Sequence, residues 1–176
     1  TDAGVQVHLE EGSVEIFDQV VFSCHSDQAL ALLGDDATDL EREVLSAIPY
    51  RDNEVVLHTD TSLLPKATLA WSSWNYHLGT EKLKPATLSY NMNILQGIQD
   101  SKQTFVVTLN HTHWIDPDKI IGRYTYAHPT FTLAGIEAQE RWQEINTDKT
   151  WFCGAYWRNG FHEDGLSSGL DVARSI

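Results

Sequence analysis

The sequence lacks the glycine pattern with which a dinucleotide-binding fold usually begins. None of its 11 glycines forms a Gly-x-Gly pair, so the phosphate-binding turn G-x-G-x-x-G is absent. There is no P-loop either. The chain opens at Thr1, and Met92 is its only methionine. We therefore expect this chain to be the C-terminal part of a larger protein.

Positive charge and long apolar runs are also scarce. Lys and Arg total 12 against 25 Asp and Glu, which gives a net charge of −13 and a pI of about 4.8. Because the basic residues are not clustered, we expect neither nucleic acid nor anionic membranes as partners. No apolar run reaches the roughly 18 residues of a membrane-spanning helix, so we expect no membrane span.

Cysteine is rare, and both copies lie in apolar, strand-like runs. Cys24 follows a Val-Val-Phe run, and Cys153 follows Trp-Phe. Such cysteines are typical of buried thiols in a reducing compartment, which predicts a cytoplasmic protein. A disulfide between them would require an oxidising compartment.

The first 48 residues predict strands followed by helices. Alternation at residues 5–9 and the Glu-Gly turn at 11–12 indicate a hairpin that continues through residues 14–16. The apolar run at 20–22 is typical of a strand buried on both faces in a parallel sheet. Ser26 and Asp27 are candidate N-caps for a short helix over 29–33. Thr38 and Glu41 form a capping box for a helix ended by Pro49.

From residue 53 the periodicity changes to two. Strands are predicted at 54–59, 69–76, 87–93 and 104–110, separated by turn-like segments at 61–66, 79–85 and 97–103. A fifth strand is predicted at 120–126, and a helix at 132–144 capped by Thr130 or Thr132. A run of strands after a helical start indicates an α+β fold with an antiparallel sheet.

The C-terminal stretch combines a strand, glycine breaks and a helix. Residues 151–153 indicate a buried strand, Gly154 and Gly160 interrupt it, and a helix follows over 162–173. Leu166, Leu170 and Ala173 share one face of that helix. The small residues Gly165, Ser168 and Gly169 lie beside that face and allow another backbone to approach. A helix start presents unpaired N–H groups and suits an anion such as pyrophosphate.

This stretch resembles the C-terminal flavin-binding motif of the flavin-containing amine oxidase superfamily, which includes phytoene-desaturase-like enzymes and bacterial predicted NAD/FAD-binding oxidoreductases. The matching residues are Gly154, the aromatic Phe161, Glu163 and the Ser168-Gly169 pair. Two positions depart from the motif: Asp164 replaces a small residue, and Ala155 replaces an acidic one.

The resemblance implies an FAD-dependent oxidoreductase that oxidises an amine, or an alicyclic or unsaturated C–H bond, by hydride transfer to flavin. FAD would belong to the full-length parent, and this part alone would be inactive without the N-terminal FAD-binding half. The implied cofactor-binding residues are Gly154, Ala155, Gly160, Phe161, His162, Glu163 and Gly165.

The resemblance also implies three segments. Residues 1–36 would end the substrate sheet and re-enter an incomplete Rossmann-like FAD-binding domain. Residues 37–127 would form the substrate-binding domain, mainly antiparallel sheet, and residues 128–176 would form the C-terminal FAD-binding segment.

An aromatic stretch at residues 71–76 is the candidate substrate wall. Trp74 and Tyr76 are predicted to face the same way, while Trp71 faces the other. Such a wall suits a planar or amine substrate through stacking or cation–π contact. By the resemblance, Phe161 takes an aromatic position of the substrate cage and Trp157 lies beside it. A sheet face packed under a helix is the alternative explanation of the aromatic residues.

No other group of residues gives a strong signal of a metal or catalytic site, so the catalytic residues are unknown. His111-x-His113 has a spacing compatible with metal binding, but no third ligand lies nearby in sequence, so no metal site is predicted. No acid–base pair or nucleophile elbow is present, as expected where a flavin carries the chemistry. Two other functions stay open: a stand-alone module that binds a small apolar ligand at Trp71, Trp74 and Tyr76, and a homo-oligomer formed through the apolar face of the last helix.

Overall fold

The structure, a computed structural model, describes residues 4–78 and 87–176 and contains two compact units. The first comprises residues 4–51 and 129–176, and the second comprises Asp52–His128. The predicted boundary at residue 37 differs from this division. Helix α2 (Asp39–Ser46) belongs to the first unit because Val44 and Leu45 are buried in its core with Ala29 of helix α1 (Ser26–Leu33).

The first unit contains a hairpin, a parallel strand pair and five helices. The hairpin is β1 (Val5–His8) with β2 (Val14–Phe17), and its strands are antiparallel as predicted. The parallel pair is β3 (Val20–Phe22) with β9 (Thr150–Phe152), which confirms the parallel pairing expected from the apolar run. The expected burial on both faces is wrong, since Val21 is 41% exposed. Besides α1 and α2, the helices are α4 (Leu133–Glu140), α5 (Trp142–Ile145) and α6 (His162–Ser175).

Local signals explain the helix ends of this unit, with two differences from prediction. Thr38 and Glu41 form the predicted capping box, with Thr38 N–H donating to Glu41 Oε2 at 2.7 Å. Helix α1 begins earlier than predicted, with His25 as its N-cap, because Gln28 Oε1 accepts the His25 N–H at 3.1 Å. The predicted helix 132–144 is broken at Arg141, whose backbone leaves the helical region.

The second unit is a five-stranded sheet with strand order β5-β6-β7-β4-β8. These strands are β4 (Tyr50–His58), β5 (Trp74–His77), β6 (Thr87–Asn91), β7 (Val106–Leu109) and β8 (Ile120–Pro129). The pairs β5–β6, β6–β7 and β4–β7 are antiparallel, and the short helix α3 (Met92–Leu95) follows β6. The α+β class with an antiparallel sheet is therefore confirmed. The turn predicted at 79–85 lies outside the described residues.

One predicted strand, residues 69–76, is largely wrong. The segment Thr68–Ala70 forms a 3₁₀ turn, and β5 starts only at Trp74. The Asn75 side chain accepts Ser72 N–H at 3.3 Å and donates to Ser72 O at 2.7 Å, which closes a turn just before the strand. Trp71 consequently lies outside the sheet, and its indole N–H donates to Pro65 O at 2.8 Å.

One face of this sheet, which we call the covered face, is buried and carries polar side chains beside the apolar Val56 and Val106. Strand register places His58, Thr108, Ser89 and His77 on it, and the first three are fully buried. Their side chains form a chain of hydrogen bonds: His58 Nε2 to Thr108 Oγ1 at 2.8 Å, Thr108 Oγ1 to Ser89 Oγ at 2.8 Å, and Ser89 Oγ to His77 Nε2 at 2.9 Å. Because Asp60 N–H donates to His58 Nδ1, neutral His58 must donate through Nε2, which sets the direction of the whole chain.

The opposite face, which we call the open face, is apolar and aromatic. It carries Trp74 and Tyr76 on β5 and, in register across the sheet, the side chains Leu88, Tyr90, Val107, Leu109, Val55 and Leu57. Trp74 and Tyr76 are 50% and 61% exposed, so they share one face as predicted. No helix of the described residues combines the length and apolar character that crossing a membrane demands.

We predict that Thr108→Val destabilises the second unit by about 1–3 kcal/mol, because it leaves the buried His58 N–H without an acceptor. Urea unfolding followed by fluorescence measures the loss. The matched control is Thr125→Val at an exposed position of β8, where we expect a change within about 0.5 kcal/mol. Equal effects at the two sites would contradict the role of the chain.

We also predict that acid weakens the fold through His58. Burial lowers the pKa of His58 below its ordinary 6.5. As pH falls, the unfolded chain therefore takes up this proton before the folded chain does, so the contribution of His58 is complete above about pH 6.5 and declines below it. The slope of unfolding free energy between pH 7 and 5 should be smaller in His58→Gln. An unchanged slope in this variant would refute the assignment.

Candidate functional site

The turn between β9 and α6 is the predicted flavin-binding segment, and hydrogen bonds from two helices hold it. Gly154 N–H donates to Ser168 Oγ of α6 at 3.1 Å. The amide of Gln139 in α4 donates to Tyr156 O and Arg158 O, both at 2.8 Å. The 3₁₀ turn Ala155–Trp157 is thus fixed from both sides, so the path of the backbone toward the helix start is well defined.

Gly154 is required by the aromatic ring that packs against it. A Cβ at this position would lie 2.7 Å from Cδ1 of Tyr156 and closer still to Cε1. The space gained by the glycine is therefore filled by the Tyr156 ring. Gly160 has a different role: its φ of +86° lies in the left-handed region, where the chain turns into helix α6.

The start of α6 is exposed and acidic. Phe161, the N-cap residue, is 57% exposed, and His162 and Glu163 are exposed as well. Phe161 N–H donates to Asp164 Oδ2 at 3.0 Å, so the unusual Asp164 caps its own helix. Glu163 and Asp164 in the first turn stabilise the helix dipole, and they also disfavour a phosphate at this position.

Helix α6 packs through Ser168 and Val172. Both are buried, and a Cβ added to Gly165 would meet Ala155 Cβ at 3.7 Å, which is ordinary contact. The predicted apolar stripe lies on the other side, with Leu166 59% and Leu170 44% exposed. Of the three predicted small residues only Ser168 is buried, and a Cβ would fit at both Gly165 and Gly169, so the close backbone approach expected there is not seen. The apolar stripe remains on the surface of the described structure.

The predicted cofactor-binding residues are exposed or half-buried, and none is fully buried. Gly160, Phe161, His162 and Glu163 are exposed, and three others, Gly154, Ala155 and Gly165, are half-buried. They follow the carboxyl end of β9, and the loop after the parallel strand β3 leaves from the same edge. In open parallel sheets, ligands bind outside the carboxyl ends of the strands.

The loop after β3 brings together residues that no motif in the sequence marks as a site. The rings of His25 and Tyr50 stack with centroids 4.5 Å apart, and Ser26 N–H donates to the Tyr50 hydroxyl at 3.0 Å. The sequence predicts Ser26 only as a helix N-cap. Tyr50 follows the helix-ending Pro49 and belongs to no motif. The pairing of residues 24 positions apart has no signature in the sequence.

The cysteines and tyrosines near this turn are kept protonated at neutral pH. Burial raises the pKa of the Cys153 thiol, and it also raises the pKa of Cys24 and of the Tyr156 hydroxyl. Thiolate is the nucleophilic form of cysteine. Cys153 therefore acts as the small buried apolar residue that the sequence predicted.

The four predicted substrate-pocket residues are distributed over the two units. Trp74 and Tyr76 lie on the open face of the second unit, and Phe161 lies at the helix start of the first. The expectation for Trp157 needs correction: only 6% of it is exposed, and it packs in the core of the first unit with Phe152 and Ile145. Its indole fills space beneath the turn and is not part of an accessible surface.

The two predicted histidines lie in a cluster of rings. His111 stacks on His77 with centroids 5.6 Å apart, and His113 lies 5.0 Å from His111. Across residues 4–78 and 87–176, no three metal-binding side chains converge on a point that would hold an ion.

Comparison with known proteins gives a likeness of fold. The sequence matches no protein-family model and no curated protein. Among solved structures, the fold of this chain resembles that of reduced UDP-galactopyranose mutase, with a TM-score of 0.56 and 14% sequence identity. The match covers 89% of this chain and 40% of that enzyme's chain, so this chain spans less than half the length of the enzyme it resembles.

We predict opposite effects for two glycine-to-alanine changes in this segment. Gly154→Ala should destabilise the first unit by about 1–3 kcal/mol, because the methyl group overlaps the Tyr156 ring. Gly169→Ala should stabilise it by about 0.5–1 kcal/mol, since nothing lies within 4 Å and alanine favours a helix. Thermal unfolding of both variants checks the signs. Two shifts of the same sign would argue against the described packing of the turn.

Proposed function

We propose that this chain is the C-terminal part of an FAD-dependent oxidoreductase of the amine oxidase type, which oxidises an amine or an alicyclic or unsaturated C–H bond. The observation that carries the proposal is the pairing of β3 with β9. Parallel strands usually belong to larger sheets with both faces covered, and a two-stranded ribbon alone is marginally stable. Here the described sheet has only two parallel strands, and Val21 is 41% exposed.

A buried donor without an acceptor also supports a missing part. The indole N–H of Trp151, on β9, is buried and has no hydrogen-bond partner among the described residues. Buried donors in complete folds are nearly always paired. A further polypeptide segment or a ligand beside β9 would supply the acceptor and cover the exposed Leu166 and Leu170 of α6.

The residues at the turn between β9 and α6 suit the isoalloxazine and ribityl parts of FAD better than its pyrophosphate. The exposed ring of Phe161 and the backbone of His162 would contact the uncharged isoalloxazine, and Glu163 would accept hydrogen bonds from ribityl hydroxyls. The carboxylates Glu163 and Asp164 do not suit a pyrophosphate. The phosphates and adenine would be held by the N-terminal half, where a G-x-G-x-x-G turn is expected. When bound, the flavin ring would accept a hydride from substrate.

The solved structure that the chain resembles was obtained in a reduced state, as its name records. A reducible group in a protein of this fold agrees with the proposal. Trp74 and Tyr76 are the proposed aromatic wall for substrate, and the surfaces left open in the first unit are the proposed contact with the N-terminal half.

The test is to purify the natural full-length protein that carries this chain. We expect one FAD per chain, while residues 1–176 alone should retain none. In the full-length protein, Phe161→Ala should weaken FAD binding roughly three- to tenfold, as loss of an aromatic contact predicts. Leu32→Ala, a change at a site 73% exposed on α1, serves as the control and should leave binding unchanged. A full-length protein that is colourless and binds no flavin would refute the proposal.

A further inference from the structure

A cavity of about 460 Å³ lies on the open face of the sheet, at the opposite edge from Trp74 and Tyr76. Val55 and Leu57 of β4 and Val107 of β7 form its floor, and Leu57 and Val107 are paired across the two strands. All residues that line it belong to the second unit, so the cavity exists independently of a flavin in the first. Its size is within the range of small-molecule sites, roughly 300–1,000 Å³.

The wall of the cavity is fixed by hydrogen bonds. Met92 and Phe105 both line it, and Met92 N–H donates to Phe105 O at 2.9 Å. Asn93 Oδ1 accepts Phe105 N–H at 2.7 Å, and Asn91 Oδ1 accepts Ile94 N–H at 3.2 Å, which starts helix α3. These contacts hold the two apolar side chains over the floor before any ligand arrives, and this preorganisation favours binding.

The rim consists of two parallel phenol rings. Tyr124 and Tyr126 of β8 have ring centroids 5.9 Å apart and planes inclined by 6°. They are 46% and 53% exposed, so both rings are partly accessible to a molecule entering the cavity, while the hydroxyl end of Tyr124 lies against Gly122. Tyrosine in such a position offers an apolar surface together with a hydrogen-bonding group.

Among the residues that the structure describes, none that lines the cavity has a charge that could pair with an ionic ligand. None of the nine side chains that line it is charged, and Gln96 provides its one amide. Removing an ammonium or a carboxylate from water without a partner costs far more than two half-exposed tyrosines return, since a cation–π contact at an exposed site contributes about 0.5–1 kcal/mol. An ionic molecule is therefore a poor occupant.

We propose that this cavity binds an uncharged small molecule that is largely hydrocarbon, with a ring or chain over the Val55–Leu57–Val107 floor. A hydroxyl or carbonyl on the ligand meets Gln96 or a tyrosine hydroxyl at the rim. The site is separate from the aromatic wall at Trp74 and Tyr76.

The test uses the neutral fluorescent probe N-phenyl-1-naphthylamine with the natural full-length protein that carries this chain. We expect saturable binding that Val107→Phe weakens at least tenfold, because the larger ring fills the cavity. Leu109→Phe is the matched control, since Leu109 lies on the same strand and face but does not line the cavity. It should change affinity less than twofold. Tyr124→Ala, at an exposed position, should weaken binding at least threefold and provides a second variant if Val107→Phe does not fold.

Two further measurements decide the ligand class and the occupant. In competition with the probe, 1-naphthylmethanol should bind at least tenfold more tightly than 1-naphthylmethylammonium, which has the same ring and a positive charge. Equal or tighter binding of the ammonium would overturn the proposal. So would equal effects of the Phe substitutions at 107 and 109. A dimer that Val107→Phe dissociates, detected by light scattering, would show that a second copy occupies the cavity and would also overturn it.

Discussion

Two strands that are distant in sequence, Val20–Phe22 and Thr150–Phe152, pair in parallel at three positions. Their backbone hydrogen bonds hold an early and a late segment of this chain together. The register continues at both ends, with Val20 N–H donating to Lys149 O at 2.9 Å and Cys153 N–H donating to Phe22 O at 3.0 Å. The rings of Phe22 and Phe152 stack within it, with centroids 5.2 Å apart. Without this pairing, the loop at His25 and the turn at Gly154 would not leave from the same edge of a sheet. The core of the first unit would also lose the stacked rings of Phe22 and Phe152.

The second unit buries polar and apolar side chains side by side on one face of its sheet. Antiparallel sheets commonly bury their apolar face and expose the polar one. Here the buried face carries His58, Thr108 and Ser89 together with the apolar Val56 and Val106, and the open face also carries aromatic and aliphatic side chains. The buried polar groups are tolerated because their hydrogen bonds are satisfied. Asp60 extends this network: burial alone would raise its pKa, but N–H groups of Asp116 and Ser62 and the ammonium of Lys119 lower the pKa to about 2.

An accessible apolar face on such a sheet has a physical consequence for function. Large exposed apolar patches mark surfaces that meet a ligand or another protein. The cavity between Val107 and Tyr124 on this face has the dimensions of a small-molecule site, and the exposed rings at Trp74 and Tyr76 offer a stacking surface.

The sequence alone determined most elements, because their signals are local. The capping box at Thr38, the alternation at residues 54–59, the glycine breaks at 154 and 160 and the final helix all depend on residues a few positions apart. Because these signals extend over only a few residues, they also explain which predictions were wrong. The alternation around Trp71 did not reveal the turn closed by Asn75, and the indole of Trp157 looked like a surface aromatic until the core formed around it. The flavin-site residues follow from a motif, and their surface position agrees with it without testing their role.

Only the tertiary structure decided which faces are covered. The pattern of the last helix shows that Leu166 and Leu170 share a face, but only the structure shows that this face is exposed and that the helix packs through Ser168 and Val172 instead. The hydrogen-bond chain from His58 to His77 and the cavity at Val107 join residues from several strands, and no local spacing encodes them. Sequence periodicity specifies which side chains share a face, whereas long-range packing decides whether that face meets protein or solvent.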